Sequence, residues 1–226
     1  MKKVLVSLLA SSVVLLSACN NDAEDAQKTE VKQEKSMTTE TIINDSIDQN
    51  NDALSYEEHG ILSIDDDEAL EFFVTMDDDE NVKFEVDNNE SVYTFYDVDG
   101  EKKEVQNGKL EDTDTELNAL NYIEIIESLK DLPEGELTTE DDLYVLTYNV
   151  LEVEDLSAIS NNLSSYLEEY DTEELSLILK FNSDYQLVEA HVDGVFSEDD
   201  ESYNVQGDVN FNDINNVDTI DMPNRE

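Results

Sequence analysis

The chain has 226 residues, with 59 Asp and Glu against 12 Lys and Arg, a net charge of −47. A chain this acidic repels nucleic acid and anionic lipid headgroups, since it lacks the clustered Lys and Arg that phosphate recognition requires. Its single cysteine excludes an internal disulfide.

The N-terminus accounts for that cysteine. Lys2 and Lys3 precede an apolar run of thirteen residues, 4–16. That is too short to span a bilayer, which takes about 20 residues, but it suits a secretory signal over residues 1–18. Leu16-Ser17-Ala18-Cys19 resembles the bacterial lipobox. The resemblance implies that Cys19 receives a diacylglycerol and becomes the mature N-terminus. Two acyl chains contribute on the order of 20 kcal/mol of gross membrane affinity. The expected location is therefore the extracytoplasmic face of the cell membrane, lipid-anchored. Losing residues 1–18, which hold Lys2 and Lys3 and no acid, takes the net charge from −47 to −49. Lipid rather than charge must hold such a chain at a membrane. The acidity reads as solubility in a salty exterior, where a Debye length below about 8 Å damps self-repulsion.

Residues 19–36 read as an acylated, disordered tether, with Val31 its one aliphatic side chain larger than alanine after Cys19. Residues 37–226 suffice for one domain, which at this size buries roughly 70% of its unfolded surface. Its first element is a weak helix over 37–52, with Ile43 and Ile47 on one side and Thr38 or Thr39 as N-cap.

The period then changes to two. Ile61, Leu62 and Ile64 suggest a strand. Leu70, Phe72, Val74 and Met76 form the apolar phase of the next, Val82, Phe84 and Val86 that of a third, and residues 92–98 (VYTFYDV) a fourth. Acidic turns separate them. A helix follows over 116–130, with Tyr122, Ile125, Ile126 and Leu129 on one face and Pro133 beyond its end. Residues 143–151 (LYVLTYNVL) read as a strand covered on both sides. A second helix over 156–170 carries the stripe Leu156, Ile159, Leu163, Tyr166, Leu167 and Tyr170. Three strands close the chain, with apolar phases Leu175 to Phe181, Val188 to Phe196 and Tyr203 to Phe211. The expected fold class is α+β, a curved antiparallel sheet with helices packed on its concave face.

At this point the chain resembles the LolA/LppX-like bacterial lipoproteins, and within them a Gram-positive branch. The resemblance covers residues 37–223. It rests on the lipobox, the tether and first helix, Ser55-Tyr56 entering the first strand, the two mid-chain helices, the strand pair around 181–188 (FNSDYQLV) and the ending Asn-x-Val-Asp-x-Ile-x-x-Pro at 215–223. It implies an unclosed β-barrel whose helices lid an apolar cavity, in proteins that carry lipids or lipoproteins between membranes. The family has no short catalytic motif, so no residue's role transfers by position.

Enzyme signatures are missing from the sequence. The six glycines (60, 100, 108, 135, 194, 207) form no nucleophile elbow, dinucleotide fingerprint or phosphate loop. His59 and His191 suggest no nucleophile–base pair, and His191, between Glu189 and Asp193, reads as solvated or ion-paired. Asp97-Val98-Asp99-Gly100-Glu101 has the flavour of a calcium loop but puts glycine fourth where the sixth position needs it. Neither a cofactor nor a metal site is expected. The sequence-level expectation is a monomeric, non-enzymatic lipoprotein with an apolar cavity for an amphiphile. Its lining is drawn from Phe72, Val74, Phe84, Phe95, Ile126, Leu129, Leu163, Leu167, Leu177 and Leu179. The rival expectation is an acidic interaction module in which the same side chains fill a solid core.

Overall fold

Alternating apolar and polar side chains dominate the chain after residue 55, and they fold as strands. The computed structural model describes residues 37–65, 67–117, 119–149, 152–158, 171–198 and 201–223. The strands are β1 (Tyr56–Ile64), β2 (Asp67–Met76), β3 (Val82–Asp87), β4 (Val92–Val98), β5 (Glu101–Gln106), β6 (Lys109–Asp112), β7 (Glu136–Glu140), β8 (Leu143–Asn149), β9 (Asp171–Phe181), β10 (Leu187–Glu198) and β11 (Glu201–Asn212). They form one open sheet of order β6-β5-β4-β3-β2-β1-β11-β10-β9-β8-β7, with every pairing antiparallel. The first and last strands are neighbours at its centre, so the sheet is two meanders joined by β1 and β11.

This order dictates a crossover. The chain leaves the sheet at one edge, β6, and re-enters at the other, β7. Ten strand spacings of about 4.8 Å put those edges about 48 Å apart along the sheet. The connection, residues 113–135, must therefore traverse a face, and it carries helix α2 (Tyr122–Ser128) with a 3-10 turn at Leu129–Asp131. Over the middle of the sheet, Tyr122 lies tilted against Tyr56 and edge-on to Phe211, both at centroid distances of 6.3 Å, and its hydroxyl donates to Leu187 O at 3.2 Å. Tyr56 OH donates to Leu120 O at 2.9 Å. The helices thus pack on the face that carries Tyr56 and Phe211, called inward below.

Local chemistry sets both helix starts. In α2 a capping box joins Asn121 and Glu124: Glu124 N–H donates to Asn121 Oδ1, and Asn121 N–H to Glu124 Oε2, both at 3.0 Å. Helix α1 (Thr39–Gln49) begins at Thr38, whose Oγ1 accepts from Thr41 N–H at 3.2 Å. At its far end Asn50 is buried, and its Nδ2 donates to Ser46 O and Tyr185 O at 3.0 and 3.2 Å, tying α1 to the β9–β10 turn.

The predicted helix over 116–130 is shorter than its periodicity suggests. It starts only at Tyr122, after the Asn121–Glu124 capping box, and its last turn tightens into the 3-10 segment. The helix expected over 156–170 is described only at its start, where Val153–Ala158 is a 3-10 turn; residues 159–170 lie outside the described residues. A bulge between Leu187 and Glu189 makes Leu187, rather than Val188, the buried start of β10.

Three strands go beyond the sequence expectation: β5, β6 and β7. Two of their turns are legible as chemistry, because Asp99-Gly100 and Asn107-Gly108 both hold positive φ (53° and 77°, 53° and 74°), the signature of two-residue hairpin turns. The intervening strand, EKKEVQ, has no apolar alternation to reveal it.

The C-terminal tail is tied at two points. Asn215 N–H donates to Ser55 O, and Ile220 N–H to Asp77 Oδ2, both at 2.8 Å. Asp77, buried in the β2–β3 turn, also accepts from Asp79 N–H, Asn81 N–H and Asn81 Nδ2 at 2.9–3.0 Å. Burial alone would raise the pKa of this carboxyl, but the four donors outweigh it and hold the pKa below the ordinary value.

Candidate ligand-binding face

The inward face is packed unequally along the sheet. On β8 to β11, Leu146, Tyr148, Leu175, Leu177, Leu179, Phe181, Leu187, Ala190, Val192, Phe196 and Phe211 are buried in one cluster with Ile42, Tyr122, Ile126, Leu129 and Leu156. On β2 and β3 the inward side chains Met76 and Val82 join that cluster, whereas Phe72, Val74, Phe84, Val86, Tyr93 and Phe95 on β2 to β4 are only half-buried. Their register makes a continuous floor: Val74 faces Phe84 across the strands and Phe84 faces Phe95, while in the next row Phe72 faces Val86 and Val86 faces Tyr93. Ring centroids step from Phe72 to Phe84 at 6.4 Å, to Phe95 at 6.2 Å and to Tyr93 at 6.5 Å.

Gly60 extends this floor onto β1. It pairs with Phe72, whose ring lies over it so closely that a Cβ would sit 2.1 Å from Phe72 Cζ. The missing side chain is thus replaced by the neighbouring ring.

One residue before Gly60 in the inward phase stands Glu58, opposite Val74 on β2 and Phe211 on β11. The residue is half-buried, and nothing among the described residues hydrogen-bonds to or ion-pairs with its carboxylate. Burial pushes its pKa up to about 7. Tyr56, on the same strand, titrates well above the ordinary phenol value through burial first and then the nearby negative charge of Glu58 and Glu124. Glu58 is not among the sequence-predicted residues. The signal was present, because the phase set by Tyr56, Gly60 and Leu62 turns the side chain inward, whereas its neighbour Glu57 is exposed.

Of the ten sequence-predicted lining residues, Ile126, Leu129, Leu177 and Leu179 lie in the fully buried cluster, and Phe72, Val74, Phe84 and Phe95 lie together on the half-buried floor. Leu163 and Leu167, like Cys19, fall outside the described residues. Two grooves open elsewhere: one of about 510 Å³ at the β3–β4 and β5–β6 turns, lined by residues including Asp87, Glu90 and Asn107, and one of about 250 Å³ beside Lys180, Glu189, His191 and Asp208. Neither contains any of the ten.

Both histidines lie on the outward face, each against a carboxylate. His59 Nε2 is 2.8 Å from Glu71 Oε1, with its ring stacked on Phe73 at 4.4 Å. His191 Nδ1 is 2.7 Å from Asp208 Oδ1 on the neighbouring strand rather than from the Glu189 or Asp193 adjacent in sequence. Among the described residues no group of three or more His, Cys, Asp or Glu is placed to hold a metal ion, and no helix is long and apolar enough to cross a membrane. Asp99-Gly100 serves as the β4–β5 turn, with Asp99 N–H donating to Asn81 Oδ1 at 2.9 Å.

Fold and face together describe an open antiparallel sheet with two short helices over one side and an aromatic floor beside them. No protein-family model and no curated protein matches the chain.

Proposed function

We propose that this protein is a lipoprotein, anchored through an acylated Cys19 at the extracytoplasmic face of the cell membrane, that binds a hydrophobic or amphiphilic ligand on the inward face of its sheet, beside the helices. In this reading the sheet curves as an unclosed barrel of the LolA/LppX-like kind, with the helices on its concave side, and the role is non-enzymatic. The observation that supports it is the contrast within one face. The same alternation that buries Leu177 and Leu179 completely leaves Phe72, Val74, Phe84 and Phe95 half-covered. A contiguous apolar surface of this kind is costly to leave in water and marks a place where something apolar binds. Organic extraction and mass spectrometry of tagless protein purified without detergent should recover a lipid or other amphiphile in near-stoichiometric amount; a clean extract, together with no binding of added alkyl probes, would overturn the reading.

The packed cluster favours a second reading, an acidic interaction module with a solid interior. Residues from both helices and from β8 to β11 are buried together in that cluster. A basic partner captured at low salt and released at high salt would support it.

A further inference from the structure

We propose that Glu58 forms the polar end of the ligand site, so that the preferred ligand is an amphiphile whose head carries an ammonium group and whose apolar body lies along Phe72, Val74, Phe84 and Phe95. This rests on the reading of the half-buried floor as a binding surface. Three observations carry it.

The first is position. Glu58 projects from the inward face of β1, in the same cross-strand row as Val74, Phe84 and Phe95. An alkyl chain or ring laid along that row would bring its head against the carboxylate.

The second is the missing partner. A carboxylate set among apolar side chains is costly unless it is paired. Yet nothing among the described residues pairs with Glu58, and along the inward face the nearest lysine, Lys102, is four strands away and engaged with Asp97 and Glu116. The titratable groups on neighbouring elements are Tyr56 on its own strand, Tyr122 and Glu124 on α2, and Tyr93 and Glu104 across the floor, none of them cationic. Among the described residues the charge complement is therefore absent, and it would come with the ligand.

The third is the packing beside it. Gly60, the next inward position, has no side chain, and the ring of Phe72 fills its place. A purely structural strand would gain by an apolar residue at 58. Instead, the strand that borders the floor carries a carboxylate beside that ring. Burial keeps the Glu58 proton on until near pH 7, so the site would hold an ammonium head more tightly above that pH than below it.

The test is calorimetric titration of the purified chain with dodecylammonium and dodecanol, below their aggregation limits, at pH 6 and pH 8 in 0.3 M salt, comparing wild type, Glu58→Gln and Glu57→Gln. Because 59 acids attract any cation, the exposed neighbour Glu57 provides the control for general charge. The expected result is one site that prefers dodecylammonium over dodecanol by about tenfold at pH 8, the scale of one partly buried charged hydrogen bond. That preference should shrink at pH 6, vanish in Glu58→Gln and persist in Glu57→Gln. Equal binding of both probes to wild type, or a preference untouched by Glu58→Gln, would overturn the assignment of Glu58 while leaving an apolar site in place. Binding of neither probe would overturn the apolar site as well. Glu58→Gln is isosteric and removes a buried charge, so the variant should remain folded.

Discussion

The two wings of the sheet are built from the same alternation of side chains but reach different packing. On β8 to β11 the inward residues meet α1, α2 and the 3-10 turns, and a single cluster fills the space between them. On β2 to β4 a row of comparable hydrophobicity, Phe72, Val74, Phe84 and Phe95, remains half-buried, and aromatic rings pack chiefly against one another. Strand periodicity therefore decides which face turns inward, while coverage depends on where the crossover lands. That landing is over β1, β11 and β10, since Tyr122 contacts Tyr56, Phe211 and Leu187.

The sharpest way to break this comparison is to truncate one residue in each wing. Leu177→Ala removes a side chain with no solvent exposure and should cost about 3–5 kcal/mol. Phe84→Ala, from the half-buried floor, should cost about 1–2 kcal/mol despite deleting more atoms. Urea denaturation monitored by circular dichroism checks both, and equal costs would mean that the wings are packed alike.

A second measurement concerns what secures the less covered wing. Asp77 gathers four N–H donors and fastens the tail to the β2–β3 turn through Ile220. Asp77→Ala strands those donors and should cost about 3 kcal/mol, with loss of hydrogen-exchange protection at the Ile220 amide. Because its folded pKa lies below the ordinary value of 3.8, the contribution of Asp77 is present above that pH and is lost as pH falls through the folded pKa.

Glu58 should show the opposite sign. Its folded pKa is raised from 4.5 to about 7, so between those values the unfolded carboxyl is ionised while the folded one keeps its proton. Its favourable term is full below about pH 4.5 and is lost as pH rises to about 7, an effect of about 2 kcal/mol after allowance for partial solvent access. Glu58→Gln should therefore match wild type near pH 4.5 and exceed it in stability by that amount at pH 8. A variant that tracks wild type across the range would show that the carboxylate is already well solvated, and the wing more open still.

Much of this could be read from residues alone. Phe72, Val74 and Phe84 announced their strands and their shared face, and the pair Thr38 and Thr39 announced the start of α1, with the structure choosing Thr38, because both signals are local: side chains two apart lie on one side of a strand, and a threonine oxygen reaches an amide three residues on. Strand β5 escaped because EKKEVQ lacks alternation, although the Asp-Gly and Asn-Gly pairs on either side of it mark hairpin turns. Glu58 escaped for a different reason. An acid in a chain with 59 of them draws no notice until the phase of its strand is counted.

The sequence by itself determined the strand faces, the helix caps, the tight turns and the strongly acidic surface, all of which follow from interactions within a few residues. Only the tertiary structure decided that β1 and β11 meet at the centre, that α2 crosses over them, and that Glu58 and the Phe72, Phe84, Phe95 row lie together under partial cover. The first two outcomes depend on contacts between segments far apart in the chain, β1 with β11 and α2 with both, where the free energy comes from burying two faces against each other and neither face alone specifies its partner; the third depends on where that crossover leaves the sheet uncovered.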